Sequence, residues 1–272
     1  MDSTVGNDKD ENDRIDDKAT LETVTQVTRW TENLLSFRTT KPKDYTYQPG
    51  EYSRLGLQIG EYMTWRAFSL VSAPHEDFLE YYGVVVPGGL FTTQIQDIAP
   101  GFRVWIDKKS FGFMTPGRFV DGEHLWMLAT GTGLGPFVSI LRDPEVWTRF
   151  QRLLLVHGVR HNHEFAYQDE LRAMRDAAAL DPNRTQLTLI QASTREPENA
   201  PAGDVLRGRI TTLFESGALE QHAGLPITVE SSRIMLCGNP DMIEEMRALL
   251  HKRGMRPCRR TLPGQFVTEN YW

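Results

Sequence analysis

From about Thr20 to Lys109 the pattern is one of strands and turns, and several segments alternate apolar and polar positions with a period of two. The clearest case sets Phe102, Val104 and Ile106 against Arg103, Trp105 and Asp107. This pattern predicts short strands at Leu21–Trp30, Leu34–Thr40, Glu51–Ile59, Thr64–Ala73, Leu79–Val86 and Phe102–Lys109. They are punctuated by Pro49-Gly50, Pro87-Gly88-Gly89 and Pro100-Gly101. Six strands at this spacing predict an antiparallel β-barrel, which removes exposed sheet edges. A helical segment at Phe91–Ile98 would cover its end. Past Leu125 the rhythm changes to apolar runs alternating with helical patterns. Leu125–Ala129, Leu153–His157, Gln186–Ala192 and Ile234–Cys237 read as buried parallel strands. Pro136–Trp147, Glu164–Leu180, Ile210–His222 and Pro240–Arg253 read as helices. The last is the best specified: Asn239 can cap it, Pro240 suits its first turn and Gly254 its end. Met242, Ile243, Met246, Leu249 and Leu250 form one stripe along it. Strands alternating with helices predict a doubly wound parallel sheet, with ligands at the carboxyl ends of the strands.

The expected organisation is an acidic, disordered extension over 1–19, a barrel domain over 20–120 and an α/β domain over 124–272, divided near Asp121-Gly122-Glu123. The 272 residues are ample for two cores. No apolar run approaches membrane-spanning length and the N-terminus lacks an apolar h-region, so a soluble, cytoplasmic protein is expected, with no membrane or nucleic-acid partner. Two cysteines, Cys237 and Cys258, are too few for an iron–sulfur cluster or a cysteine zinc site, and no metal is expected. The net charge of −6 is unevenly spread. Residues 1–22 hold eight acids and three bases, whereas Arg247 to Arg260 holds six bases and no acid. That basic run is either a solvated helix face or a docking surface for an acidic partner.

Two segments carry candidate chemistry. The run Leu125–Ala129 leads into Thr130-Gly131-Thr132-Gly133-Leu134-Gly135-Pro136, a strand, a glycine turn and a helix start. Glycines let backbone approach a ligand, and a helix start offers free N–H groups to a phosphate. The G-x-G-x-G spacing differs from the usual dinucleotide fingerprint, so tight strand–helix packing is the competing explanation. On a barrel strand, Arg66-Ala67-Phe68-Ser69 puts Arg66 and Phe68 on one face. An arginine for phosphate, an aromatic for stacking and a hydroxyl for ring hydrogen bonding make a plausible flavin grip; ordinary strand residues are the competing reading.

With these segments in this order, the chain from about Thr20 to Trp272 resembles the bacterial-type ferredoxin/flavodoxin–NADP reductases. The resemblance implies that Arg66, Ala67, Phe68 and Ser69 hold FAD, with Arg66 at the pyrophosphate and Ser69 beside flavin N5. It places Gly83, Val84 and Val85 at the isoalloxazine edge, and Leu90, Phe91 and Thr92 (or Thr93) at the FAD phosphates. Thr132 would lie near the flavin, while Gly131 and Gly133 bind the NADP pyrophosphate. Cys237, Gly238 and Asn239 match the motif that sets a cysteine beside the nicotinamide; alone, Cys237 would read as a small buried residue. The ending Glu269-Asn270-Tyr271-Trp272 resembles a subgroup whose terminal aromatic packs on FAD. Ser69, Cys237 and Glu269 are the implied catalytic positions, and Tyr271 and Trp272 the implied FAD contacts.

Charge and topology address the nicotinamide separately. Arg160 follows one parallel strand, Thr194 and Arg195 follow the next, and Arg209 opens the helix after it. Converging arginines at strand carboxyl ends suit a 2′-phosphate and predict NADP over NAD. The implied activity is hydride transfer from NADPH to FAD, then single-electron delivery to a ferredoxin or flavodoxin, acidic carriers that would dock on Arg247–Arg260 and Lys108-Lys109. A monomer is expected. The competing class is a flavin- and nucleotide-binding electron-transfer or sensor subunit that needs another chain for turnover.

Overall fold

The computed structural model describes residues 17–197 and 203–270; most of the acidic extension, and the calls on Tyr271 and Trp272, lie outside them. Two six-stranded sheets organise these residues. The first comprises β1 (Ala19–Arg29), β2 (Leu34–Thr40), β3 (Tyr52–Ile59), β4 (Tyr62–Ser69), β5 (Phe78–Val84) and β6 (Arg103–Asp107). It runs in the order β4-β3-β6-β1-β2-β5 with every pairing antiparallel. The alternation in β6 holds on the inward side, where Val104 and Ile106 are buried. Asp107 is also buried, because Arg54 pairs with its carboxylate.

Closure of this curled sheet is less complete than the expected barrel. The strand expected at Thr64–Ala73 ends at Ser69. The two outer strands meet only beyond it, through the Leu70–Tyr81 bridge and the Val71 N–H donating to the Glu80 carbonyl at 2.8 Å. Alongside Arg66–Phe68 there is no ladder between β4 and β5. Here the Phe68 ring reaches over Gly83 instead, and a Cβ on that glycine would stand 2.8 Å from Phe68 Cε1.

The second sheet comprises β7 (His124–Thr130), β8 (Arg152–Val159), β9 (Gln186–Ser193), β10 (Leu206–Arg207), β11 (Ser232–Gly238) and β12 (Phe266–Asn270). All pairs are parallel, in the order β10-β9-β8-β7-β11-β12. The central strand β7 is covered on both faces, which explains its unbroken apolar run. Leu125, Met127 and Ala129 join a core with barrel residues Val71 and Tyr82 and the helix Gly135–Arg142. Trp126 and Leu128 join the opposite core, with the helices Ile210–Glu215 and Pro240–Lys252. The order reverses at β7, between β8 and β11, and an α/β sheet opens a ligand crevice at such a switch point.

Three expected helices are divided. Pro144 forces Asp143 out of helical geometry (ψ 125°), so the helix expected to reach Trp147 stops at Arg142 and a short turn Val146–Arg149 follows. Gly217, at φ +77°, separates Ile210–Glu215 from Ala218–Ala223. The helix expected from Glu164 begins at Gln168, after a 3-10 turn at Asn162–Glu164 and a left-handed Tyr167. The helix expected at Phe91–Ile98 is the single turn Leu90–Gln94. β10 and β12 have no counterpart among the expected strands.

Candidate active site at the seam between the sheets

The glycine turn is dictated by crowding as well as by openness. A Cβ on Gly133 would overlap the Cys237 carbonyl, and one on Gly238 (φ +131°) would overlap Thr130. These two glycines let the ends of β7 and β11 lie side by side, so tight packing accounts for them. Gly131 differs: its φ is +54° and a Cβ there would enter open space. The backbone beside it is accessible to a phosphate, with Thr132 half-buried next to it. Thr130 Oγ1 accepts the Asn239 N–H at 2.8 Å, and Asn239 Oδ1 accepts those of Asp241 and Met242 at 2.8 and 3.2 Å. Asn239 therefore caps its helix while tying the Cys237-Gly238-Asn239 corner to the glycine turn.

Beneath this turn lies His157 of β8, a residue the sequence did not mark. Its Nε2–H donates to the Gly131 carbonyl at 3.0 Å, while Nδ1 has no partner. Burial pulls its pKa down to about 4, against the weaker upward pull of that carbonyl and of Glu164. The ring is neutral at physiological pH, and it fixes a carbonyl of the turn without adding charge.

A closed circuit of neighbours joins the two sheets. A Cβ on Gly135 would lie 3.5 Å from Ser69 Cβ, which places the start of the nucleotide-side helix against the end of β4. Ser69 is directly opposite Tyr52 in the β3–β4 ladder. The Tyr52 ring stacks on Phe111 at 5.8 Å, and Glu269 is among the charges that push the Tyr52 pKa up, behind burial. Glu269 Oε1 lies 3.2 Å from where a Gly112 Cβ would be. Glu269 pairs in register with Cys237 across β11 and β12, and the backbone of Cys237 abuts Gly133. Ser69, Cys237 and Glu269, distant in sequence, thus surround one seam. Tyr52, Phe111 and Gly112 belong with them and were missed. Their only sequence signals were a strand tyrosine and a loop Phe-Gly pair.

The other residues that the resemblance assigns to the flavin are spread along the unpaired edge. Arg66 is exposed, and its guanidinium donates to the neighbouring Trp65 carbonyl at 2.8 Å. Ala67 is exposed beside it. Phe68 turns partly inward against Phe91 and Tyr81, with ring centroids 5.7 and 6.4 Å away. Gly83 is buried under it and Val85 is buried, with Val84 between them half-buried. At Pro87-Gly88-Gly89, a Cβ on Gly88 would meet nothing within 4 Å. Leu90 is exposed there, while the Thr92 hydroxyl accepts the Val86 N–H at 3.1 Å and the Thr93 hydroxyl donates to the Gly89 carbonyl at 2.7 Å. Both hydroxyls already serve the turn. The open backbone and free-standing Arg66 fit a diphosphate.

At the carboxyl edge of the second sheet, Arg160, Thr194, Arg195 and Arg209 are all exposed. The Arg195 N–H donates to the Arg160 carbonyl at 2.8 Å, so those two arginines sit on adjacent strand ends. Arg209 sits at the N-terminal boundary of the helix after β10, and its guanidinium lies 3.9 Å from Glu245. Such a cluster on open strand ends suits a second phosphate.

Residues 127–248 match the family model described as the oxidoreductase NAD-binding domain. The chain is 36% identical to ferredoxin–NADP reductase A of Sorangium cellulosum over 92% of this chain and 89% of that one. It is also 36% identical to the flavodoxin/ferredoxin–NADP reductase of Escherichia coli, over 92% and 97% respectively. A ferredoxin–NADP reductase from Neisseria gonorrhoeae, solved with bound FAD and NADP, superposes with a TM-score of 0.86 at 34% identity, covering 94% of this chain and 99% of its own. The chain belongs to the ferredoxin/flavodoxin–NADP reductase family.

Proposed function

We propose that this protein is an FAD-dependent ferredoxin/flavodoxin–NADP reductase that moves electrons between NADPH and a one-electron carrier. One observation carries the reading: the Ser69 end of the flavin-side strand and the Gly131–Gly135 turn of the nucleotide-side sheet abut at a single seam. A cleft built that way brings two planar cofactors together with little need for protein acid–base chemistry.

In this assignment Arg66 holds the FAD pyrophosphate, with the backbone of residues 88–92 on its other side. Phe68, Gly83, Val84 and Val85 border the flavin ring, joined by Thr132. Bound FAD supplies the conversion of a hydride into electrons delivered one at a time. The Ser69 hydroxyl donates to the reacting edge of the ring, and the buried Cys237 leaves the nicotinamide room at the seam. Glu269 brings a carboxylate to the same edge, next to Tyr52. Gly131 and Gly133 bind the NADP pyrophosphate through the backbone of their turn, Gly238 and Asn239 shape the nicotinamide side beside Cys237, and Arg160, Thr194, Arg195 and Arg209 hold the 2′-phosphate. The carrier docks on exposed Lys108, Lys109, Arg247, Lys252, Arg256, Arg259 and Arg260. Arg253 falls outside this set, because it pairs with Glu220 at 2.8 Å and covers the Phe214 ring at 4.0 Å. Among the described residues no helix is long and apolar enough to cross a membrane; a monomeric cytoplasmic enzyme completes the proposal.

The test is NADPH titration of the purified protein, followed by turnover with ferricyanide and then with a flavodoxin or ferredoxin. Bleaching of flavin absorbance by NADPH and rapid turnover of this single chain support the assignment. A yellow protein that NADPH does not reduce points to the sensor or electron-transfer class.

A further inference from the structure

Behind the active-site seam, the two sheets are joined a second time by a buried polar cluster that the proposed reaction does not use. Its centre is Glu80 of β5, 4% exposed. From the barrel side, Arg38 Nε donates to Glu80 Oε2 at 3.1 Å. From the nucleotide side, Arg142 Nη1 donates to the same oxygen at 2.9 Å, and the Tyr167 hydroxyl donates to Oε1 at 2.8 Å. The rest of the Arg142 fork engages Glu170 at 2.6 and 2.9 Å. A carboxylate of one unit is therefore gripped by two groups of the other, in geometry that favours one relative placement.

Tyr167 occupies an unfavourable backbone conformation. It is one of two non-glycine residues with positive φ among those described, at +59°. Left-handed backbone is costly for a side chain with a Cβ, and it persists where surrounding contacts over-determine it. Those contacts come from the barrel: Trp30 at 4.7 Å between ring centroids, Tyr82 edge-on at 5.5 Å, and Glu80.

The cluster also reaches the active site. Arg142 Nη1 donates to the Val71 carbonyl at 3.3 Å, and the Val71 N–H donates to the Glu80 carbonyl at 2.8 Å. Val71 lies two residues beyond Ser69, and its Cγ2 is 3.4 Å from where a Gly135 Cβ would stand. The grip on Glu80 and the Ser69–Gly135 contact therefore share one short stretch of chain.

We propose that Tyr167 is a positioning residue for hydride transfer, acting through Glu80 to set how the nucleotide-side sheet sits on the barrel. It is not among the residues assigned to either cofactor. It governs the distance between them, and hydride transfer between bound rings is sensitive to displacement on the scale of about 1 Å. The proposal rests on the reductase reading.

Stopped-flow reduction of the holoprotein by NADPH tests it, with Tyr167→Phe keeping the ring and removing only the hydroxyl. The hydride-transfer rate constant is expected to fall on the order of tenfold, with FAD retention and NADPH Kd unchanged. Glu80→Gln, which also removes the ion pairs with Arg38 and Arg142, is expected to lower it at least as much, and adding Tyr167→Phe to it should cost less than Tyr167→Phe costs alone, because the two residues act through one cluster. If Tyr167→Phe fails to fold, Glu80→Gln carries the test by the same readouts. An unchanged rate constant at equal flavin content overturns the proposal, even with a lowered Tm, because Tyr167 is then purely structural. A rate loss matched by a rise in NADPH Kd overturns it too. Wild-type protein that NADPH does not reduce sinks the reductase reading itself, a result distinct from either.

Discussion

In the proposed assignment, the strand–turn unit β7–Gly135 and the edge strand β4 would hold ligands by opposite means. β7 lies at the centre of its sheet, with Leu125 to Ala129 fully buried, and its turn offers backbone. β4 pairs through its ladder with β3 alone, leaves Arg66 and Ala67 exposed, and offers side chains. Where backbone binds, the ligand site and the fold are the same atoms, so glycines are fixed by both. Where side chains bind from an open edge, function can be removed while the fold stays. Substitutions should separate the two regions accordingly.

The largest effect is expected at Gly133→Ala. Its Cβ would overlap the Cys237 carbonyl, and backbone cannot yield as a flexible side chain can. A loss of about 3 kcal/mol is expected, with NADPH-dependent turnover lost as well, measured by denaturant unfolding and ferricyanide reduction. Gly131→Ala meets only its positive φ and should cost about 1 kcal/mol. Equal costs at both positions would erase the distinction between crowded and open glycines.

Acid should strain the β7 side specifically. His157 resists protonation down to about pH 4 in the folded protein, whereas in the unfolded chain it titrates near 6.5. The unfolded state binds the extra proton between those values, so stability falls as pH drops from about 6.5 to about 4. The His157 contribution to that fall approaches about 3 kcal/mol. His157→Gln should flatten this part of the stability–pH curve in urea titrations. An identical slope would mean that His157 takes up its proton without cost.

On the β4 side, Arg66→Ala should leave Tm nearly unchanged and weaken FAD by about 2 kcal/mol through loss of a charge-assisted contact. Gel filtration at low concentration, with flavin absorbance, measures this. Full retention of FAD would remove Arg66 from the site. The smallest expected effects on cofactor binding are at the strand-end arginines. Arg195→Ala and Arg209→Ala should each raise the KM for NADPH about tenfold, or about 1.4 kcal/mol. The KM for NADH should barely move, and parallel weakening of both nucleotides would assign these arginines to the shared pyrophosphate.

The sequence by itself determined the features that depend on local patterning. Period-two alternation placed Val104 and Ile106 inside, an unbroken apolar run marked β7 as covered on both faces, and Asn239-Pro240 fixed a helix start. The glycine turn was legible because its glycines cluster within a few residues and Gly131 needs a positive φ, although the crowding that requires Gly133 comes from Cys237, far along the chain. Breaks at Asp143 and Gly217 were legible in principle, since proline and glycine announce them, but the apolar periodicity ran across both. Tertiary structure alone decided what depends on partners far along the chain. β12 has little pattern of its own and becomes a strand only because β11 offers it an edge, which carries Glu269 to Cys237. Asp107 and Glu80 are buried against ordinary polarity because arginines from other elements pair with them. His157 looks like any residue of an apolar strand until the Gly131 carbonyl is placed above it. Periodicity records which face of an element is buried, whereas the group that meets a buried charge is set by how the two sheets pack.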